Sequence, residues 1–282
     1  MTGPVLTVKN LSKMFGAFAA VDDVSFELPT GSSIGVVGES GSGKTTVARM
    51  IVGLERPSSG TITCCGADRS QPARTSRARR TRAREAQIVF QNPYTSLDPR
   101  RSVAATLTEV LRLHGESSTP HNGRLQKLSE MVELDSRLLA SHPGRLSGGQ
   151  LQRVAIARAL ATDPRVLILD EAVAALDVSI QAQILNLLAD IREATDISYL
   201  FITHDLAVVR QVTEHTIVMR EGRIVERGPT GDLLDNPQHP YTRNLLGSVP
   251  RPGWTPQRRA AKPADLPAEL PSRSHRLIGD QR

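Results

Sequence analysis

The sequence predicts an α/β fold, a mainly parallel sheet covered by helices, and three observations predict it. Short apolar runs alternate with helical spacings in both halves of the chain. One long stretch, roughly 92–160, has helical spacing and no strand-like run. Two strand-like runs also precede the strand that leads into the first helix, as an antiparallel N-terminal sheet requires.

Taken in order, Val5–Val8 and Val24–Leu28 read as strands separated by a polar loop. Ser33–Gly38 is a third strand and runs straight into a glycine-rich turn, after which Thr45–Leu54 reads as a helix. The turn Pro57-Ser58-Ser59-Gly60 leads to a short strand, Thr61–Cys64, and Gln87–Phe90 is strand-like up to Gln91. Val103–Leu113 and Arg124–Leu134 space their apolar residues as helices do. Alternation then resumes through Val166–Asp170, Ile180–Ile191, Tyr199–Thr203, Leu206–Val212 and Thr216–Met219. From Arg251 onward Pro, Arg and Ala dominate and periodicity is lost, so a mobile tail is expected after about 251.

Composition sets bounds on function. Hydrophobic residues make up 39% of the 282, enough for a sizeable core, but aromatics are only 3%, so Leu, Ile, Val and Ala must build it. No apolar run approaches the ~18–20 residues that cross a bilayer. Met1–Asn10 lacks a basic segment followed by an apolar one, so no secretory signal is expected. The net charge of +6 gathers at Arg69, Arg74, Arg77, Arg79, Arg80, Arg82 and Arg84 and in the tail after Val249. Both read as solvated, partly flexible segments. Neither carries interleaved aromatics, so direct nucleic-acid binding is not expected. The adjacent Cys64 and Cys65 suit a reducing compartment rather than a disulfide, and two thiols make no metal site.

Three motifs carry chemistry. Gly38-Glu39-Ser40-Gly41-Ser42-Gly43-Lys44-Thr45-Thr46 fits a phosphate loop, with a strand before it and a helix after it. The glycines let successive N–H groups turn toward phosphate oxygens, and the helix start adds its positive end. Lys44 is placed to reach β- and γ-phosphates and the Thr45 hydroxyl to ligate Mg²⁺. Val166-Leu167-Ile168-Leu169-Asp170-Glu171 is an apolar strand ending in two carboxylates, one for Mg²⁺ and one to orient and deprotonate a water. Leu146-Ser147-Gly148-Gly149-Gln150 is a capped, glycine-rich helix start and a second anion site.

The last motif, with Leu151–Leu160 after it, resembles the signature sequence of ABC ATPases. The resemblance spans roughly residues 5–250. It implies a phosphate-loop NTPase core with an antiparallel β subdomain (1–91 and 161–235), the helical subdomain characteristic of ABC proteins (92–160) and a C-terminal extension (236–282). It further implies ATP and Mg²⁺ as ligands, with Leu146–Gln150 closing on the ATP of a second subunit. Glu171 is implied as the catalytic base, His204 as the switch histidine, and Gln91 as the Q-loop glutamine near Mg²⁺ beside Thr45 and Asp170. Asp177 falls in the D-loop, and Phe15 where an aromatic stacks on adenine. Ala172 and Ala174 depart from the usual proline and serine, and Ala174 lacks a hydroxyl that would cross the dimer.

Val89–Arg100 and the segment Asn236-Pro237-Gln238-His239-Pro240-Tyr241-Thr242 resemble oligopeptide and dipeptide importers. The implied partners are a second, unequal ABC ATPase subunit, two transmembrane permease subunits and an extracytoplasmic solute-binding protein. The implied location is the cytoplasmic face of the cell membrane. Nickel and metallophore importers stay open, as does a non-transport ABC protein acting on nucleic acid or the ribosome.

Overall fold

The computed structural model describes residues 3–114 and 122–247. The expected mobile tail after about 251 lies outside the described residues. Two long strands open the chain, β1 (Pro4–Phe15) and β2 (Phe18–Pro29), followed by β3 (Ser33–Val37) and helix α1 (Lys44–Val52). Next come β4 (Ser59–Cys64), β5 (Ala67–Asp68), α2 (Ser76–Glu85) and β6 (Ala86–Phe90). Helices α3 (Val103–Leu113), α4 (Asn122–Met131), α5 (Ser136–Ala140) and α6 (Gly148–Leu160) follow. The chain then runs through β7 (Val166–Asp170), α7 (Val178–Ala194), β8 (Ser198–Thr203) and α8 (Leu206–Val212). It ends in β9 (His215–Arg220), β10 (Arg223–Pro229), α9 (Thr230–Asp235) and α10 (Pro240–Gly247).

Two sheets form. Strands β2-β1-β4-β5 make an antiparallel sheet, and β10-β9-β3-β8-β7-β6 make a second. In the second sheet β9, β3, β8, β7 and β6 run parallel, and only β10 is antiparallel to its neighbour. The central strands are buried on both faces, which is why Ser-Ile-Gly-Val-Val, Val-Leu-Ile-Leu-Asp and Ser-Tyr-Leu-Phe-Ile-Thr read as continuous apolar runs. Alternate residues serve two cores. Leu167, Leu169, Tyr199 and Phe201 pack with α3, α6 and α7. Val166, Ile168, Leu200 and Ile202 pack with α1 and the antiparallel sheet.

Two sequence expectations need correction. The polar loop between the first strands does not exist: strand pairing continues to Phe15↔Phe18. Register shifts let it pass Asn10 and Asp23, both at positive φ, and the Asn10 side chain donates to Asp23 Oδ1 at 2.8 Å. The arginine-rich stretch, expected as a solvated and partly flexible segment, is in part the helix α2. Thr75 Oγ1 caps α2 by accepting from the Ala78 amide at 3.1 Å. The other anchor is Arg69, which is 3% exposed and ion-pairs with Glu85 at the helix end. Five arginines of the stretch, Arg74, Arg77, Arg79, Arg80 and Arg84, stay exposed, whereas Arg82 donates back to the Gln71 and Asp68 carbonyls.

Among the described residues no strand lies between Phe90 and Val166, and none of the helices is long and apolar enough to cross a membrane.

Candidate functional site

The parallel ladder sets the site. Val37 at the end of β3 pairs with Thr203 of β8, Ile202 of β8 with Asp170 of β7, and Asp170 with Phe90 of β6. Gly38, His204, Glu171 and Gln91 therefore emerge side by side from the carboxyl edge of four adjacent strands. That edge is where open α/β sheets hold ligands.

The loop leaving β3 is shaped for close approach. A Cβ on Gly43 would stand 2.4 Å from the Ala20 carbonyl oxygen, and its φ is +99°. On Gly38 a Cβ would stand 2.2 Å from Met219 O. Only glycine fits either position. Gly43 also occupies the N-cap of α1 and gives no side-chain cap, so the amides at Lys44, Thr45 and Thr46 open the helix with its positive end unmasked.

Lys44 is buried, and its Nζ folds back to donate to Gly38 O at 2.8 Å, Glu39 O at 2.8 Å and Ser42 Oγ at 3.3 Å. Burial pushes the Lys44 ammonium below its ordinary pKa, and the charges of Glu171, Asp170 and Glu39 oppose that shift. A buried cation parked on loop carbonyls beside an uncapped helix start fits a group carrying several anionic oxygens. Ser40 and Gly41 form the exposed rim of this cradle, and Ser42 lies buried beneath it.

Asp170 is 5% exposed and accepts from Thr45 Oγ1 at 3.0 Å. Burial raises its carboxyl above the ordinary range, with a smaller push from Glu171; the Thr45 bond and the charges of Arg49 and Lys44 act the other way. Among the described residues no three His, Cys, Asp or Glu side chains gather as a metal cluster. The donors at this point are one hydroxyl and one carboxylate. Such an all-oxygen, incomplete set fits a hard cation that takes its other ligands from water and phosphate.

Glu171 turns off the strand at φ +50°, a left-handed conformation uncommon for a side-chain-bearing residue, and its amide donates to Ile202 O at 2.8 Å. The turn aims its carboxylate along the sheet edge, where Oε1 lies 3.4 Å from His204 Nδ1. Gln91 is exposed just beyond β6. Phe15 sits at the tip of the β1–β2 hairpin, about half exposed rather than in the core, with Lys13 Nζ 4.7 Å from its ring centre.

The second candidate anion site is elsewhere in the chain. Ser147 caps α6: its Oγ accepts from the Gln150 amide at 3.3 Å, and Gln150 Oε1 accepts from the Ser147 amide at 2.9 Å. Leu146 is buried under the turn, whereas Ser147 and Gly148 are exposed. Asp177 caps α7 by accepting from the Ile180 amide at 2.9 Å, and that bond holds its carboxyl below the ordinary range. Among the described residues no hydrogen bond or ion pair joins the Ser147 turn to the phosphate loop. Gly149 has a contact that sequence reasoning missed, since a Cβ there would stand 2.5 Å from Ile180 Cγ2. A bulky residue at 149 would disturb its own chain, so Ser147 is the cleaner position to probe. Tyr241 was also missed as a site residue: its hydroxyl accepts from the Glu39 amide at 3.0 Å. The sequence marked its motif only as a family resemblance.

Residues 21–174, more than half of the chain, match the family model described as ABC transporter. The chain belongs to the ABC transporter family. Residues 225–274 match a second model, the C-terminal region of oligopeptide/dipeptide transporters. This ABC chain is 45% identical over 242 residues to the oligopeptide transport ATP-binding protein OppD of Mycobacterium bovis, with 86% of the chain aligned. It spans only 39% of that relative's length. It is 40% identical to the dipeptide transport ATP-binding protein DppF of Haemophilus influenzae, covering 95% of this chain and 84% of that one. Among solved structures it resembles a dimeric ATP-binding cassette in a post-hydrolysis state, bound to ADP and Pi. The TM-score is 0.72 at 27% identity, over 80% of this chain and 98% of that one.

Asp170→Asn keeps an oxygen to accept from Thr45 and removes the buried charge. A carboxyl raised in the folded state destabilises at pH values above its folded pKa, and the penalty is relieved as pH falls through that pKa. The variant is expected to melt higher than the native chain at pH 7 without nucleotide or Mg²⁺. The gain is expected to vanish by about pH 4, near the unfolded carboxyl value. Thermal unfolding followed by circular dichroism checks both points, and an equal melting temperature at pH 7 contradicts the account.

Proposed function

We propose that this chain binds and hydrolyses MgATP as the motor subunit of an importer of short peptides or peptide-like solutes. The observation that carries the ATPase reading is the single line of strand ends presenting Gly38, His204, Glu171 and Gln91, with Lys44, Thr45 and Asp170 beside it. Lys44 leaves its loop carbonyls to neutralise the β- and γ-phosphates, while the loop and helix amides orient them. Thr45 and Asp170, with Gln91 at their side, hold Mg²⁺, which when bound draws charge off the phosphate oxygens. Glu171 orients a water and takes its proton, and His204 steadies that carboxylate across the strand gap. Phe15 offers a face to the adenine.

The Ser147 turn is an anion site with no link to its own phosphate loop, which supports action in trans on a second ATPase subunit's nucleotide. Asp177 and Ala174 lie in the neighbouring turn, toward that same interface. The division follows: core 1–91 and 161–235, helical subdomain 92–160, extension 236–282. The names of the relatives, OppD and DppF, and the match at 225–274 favour peptide transport over the nickel reading and over action on nucleic acid or the ribosome. No helix among the described residues is long and apolar enough to cross a membrane, which supports permeases supplied by other chains. We place the subunit at the cytoplasmic face of the membrane, with an unequal ATPase partner, two permeases and an extracytoplasmic binding protein.

Glu171→Gln is expected to retain ATP, lose at least ~100-fold in turnover and accumulate a nucleotide-bound dimer. In that trapped dimer a cysteine at position 147 should crosslink to the phosphate loop of the other subunit. Near-normal turnover moves the base elsewhere, and a crosslink to its own loop defeats the trans arrangement.

For the solute, deleting the gene should abolish uptake of labelled di- to oligopeptides and spare nickel. Intact peptide uptake with lost nickel uptake overturns the peptide reading alone.

A further inference from the structure

The peptide unit between Gly38 and Glu39 is held from both sides. Its carbonyl oxygen accepts from Lys44 Nζ at 2.8 Å, and its N–H donates to Tyr241 Oη at 3.0 Å. A peptide is planar, so fixing its N–H also fixes where its carbonyl points. Glu39 and Tyr241 are 202 residues apart in sequence.

The tyrosine is itself built in. It is 6% exposed, and the Arg220 guanidinium lies 5.1 Å from its ring centre. Arg220 ends β9, the strand that pairs with β3 and whose Met219 carbonyl excludes any side chain at Gly38. The segment that carries Tyr241 is fastened at a distance from the loop. The Glu226 carboxylate of β10 accepts from the Gln238 amide at 2.7 Å and the His239 amide at 3.1 Å. His239 Nδ1 then accepts from the Tyr241 amide at 3.1 Å.

We propose that Tyr241 is a positioning residue of the phosphate loop, through which docking of the 236–247 segment sets the affinity for ATP. This rests on the reading of that loop as the ATP site. When Lys44 swings from Gly38 O toward phosphate, the Gly38–Glu39 peptide loses one of its two restraints. The Tyr241 hydroxyl is the one that remains. Without it the peptide is free to rotate, and a rotated carbonyl would face anionic oxygens while its amide lost its partner in a part-buried place. Burial also raises the Tyr241 phenol above its ordinary pKa, so the hydroxyl stays neutral.

The test uses the full chain with MgATP. Tyr241→Phe keeps the ring beneath Arg220 and deletes only the hydroxyl. It is expected to weaken equilibrium ATP binding about tenfold, the scale of a lost partner for a part-buried amide. KM should rise by the same factor with kcat hardly changed, as when uniform binding is removed. Amide hydrogen exchange in the peptide spanning 36–44 should quicken, while the nucleotide-free melting temperature barely moves. Glu226→Ala, which loosens the segment away from the loop, should change affinity and exchange in the same direction. Unchanged affinity and exchange in Tyr241→Phe, beside a native chain that binds ATP, overturn the inference. So does a joint fall of kcat, affinity and melting temperature, which would make Tyr241 a packing residue only. A native chain that binds no ATP defeats the proposed function as well.

Discussion

The site depends on the in-register parallel ladder of β3, β8, β7 and β6. Each strand ends within one residue of its neighbour's end, at Val37, Thr203, Asp170 and Phe90. Shift one register by a single residue and its side chains exchange faces, so Asp170 would leave Thr45 and the two cores would lose their alternation. The apolar runs that build the strands are thus also the ruler that spaces the polar groups beyond them. The Thr45–Asp170 bond closes this arrangement by tying the first turn of α1 to the end of β7.

What the ladder presents is costly to the fold. Lys44 and Asp170 are both buried, burial works against the charged form of each, and Glu171 is held in a left-handed turn. The opposite charges of Lys44 and Asp170 offset part of that cost. The ammonium offsets a further part by donating to Gly38 O, Glu39 O and Ser42 Oγ. Under the proposed function those contacts have to be exchangeable, because the same ammonium is the group that would meet the phosphates. A stable loop with a displaceable lysine therefore requires restraints that do not pass through Lys44. Gly222 N donating to Ser42 O at 3.2 Å is one, and the Tyr241 hydroxyl is another.

Much of this was legible in the sequence where local signals and tertiary demands agree. Val166–Asp170, Val103–Leu113 and Leu206–Val212 appear with the bounds the apolar spacing predicts. Asp170, Glu171 and His204 fall at strand ends because motif residues follow such runs. Misses occur where a distant partner decides. The β1–β2 strands absorb polar residues through bulges at Asn10 and Asp23, which reads locally as a loop. The α2 helix looks like a solvated charge run until Arg69 is seen buried against Glu85. The crowding of Gly149 by Ile180 and the reach of Tyr241 to Glu39 join residues far apart in sequence, so no periodicity announces them.

The central claim is that one all-oxygen site, made by Thr45 and Asp170 at the edge of the ladder, holds a divalent ion together with the phosphates of ATP. Mn²⁺ in place of Mg²⁺ makes that site visible to electron paramagnetic resonance, and phosphorus couplings report whether bound phosphate touches the ion. With ATP present, the native chain should give a protein-bound Mn²⁺ signal carrying such couplings. Thr45→Val, equal in shape and lacking only the hydroxyl, should lose that signal at the same concentrations. A phosphorus-coupled signal of equal strength in Thr45→Val would contradict the account.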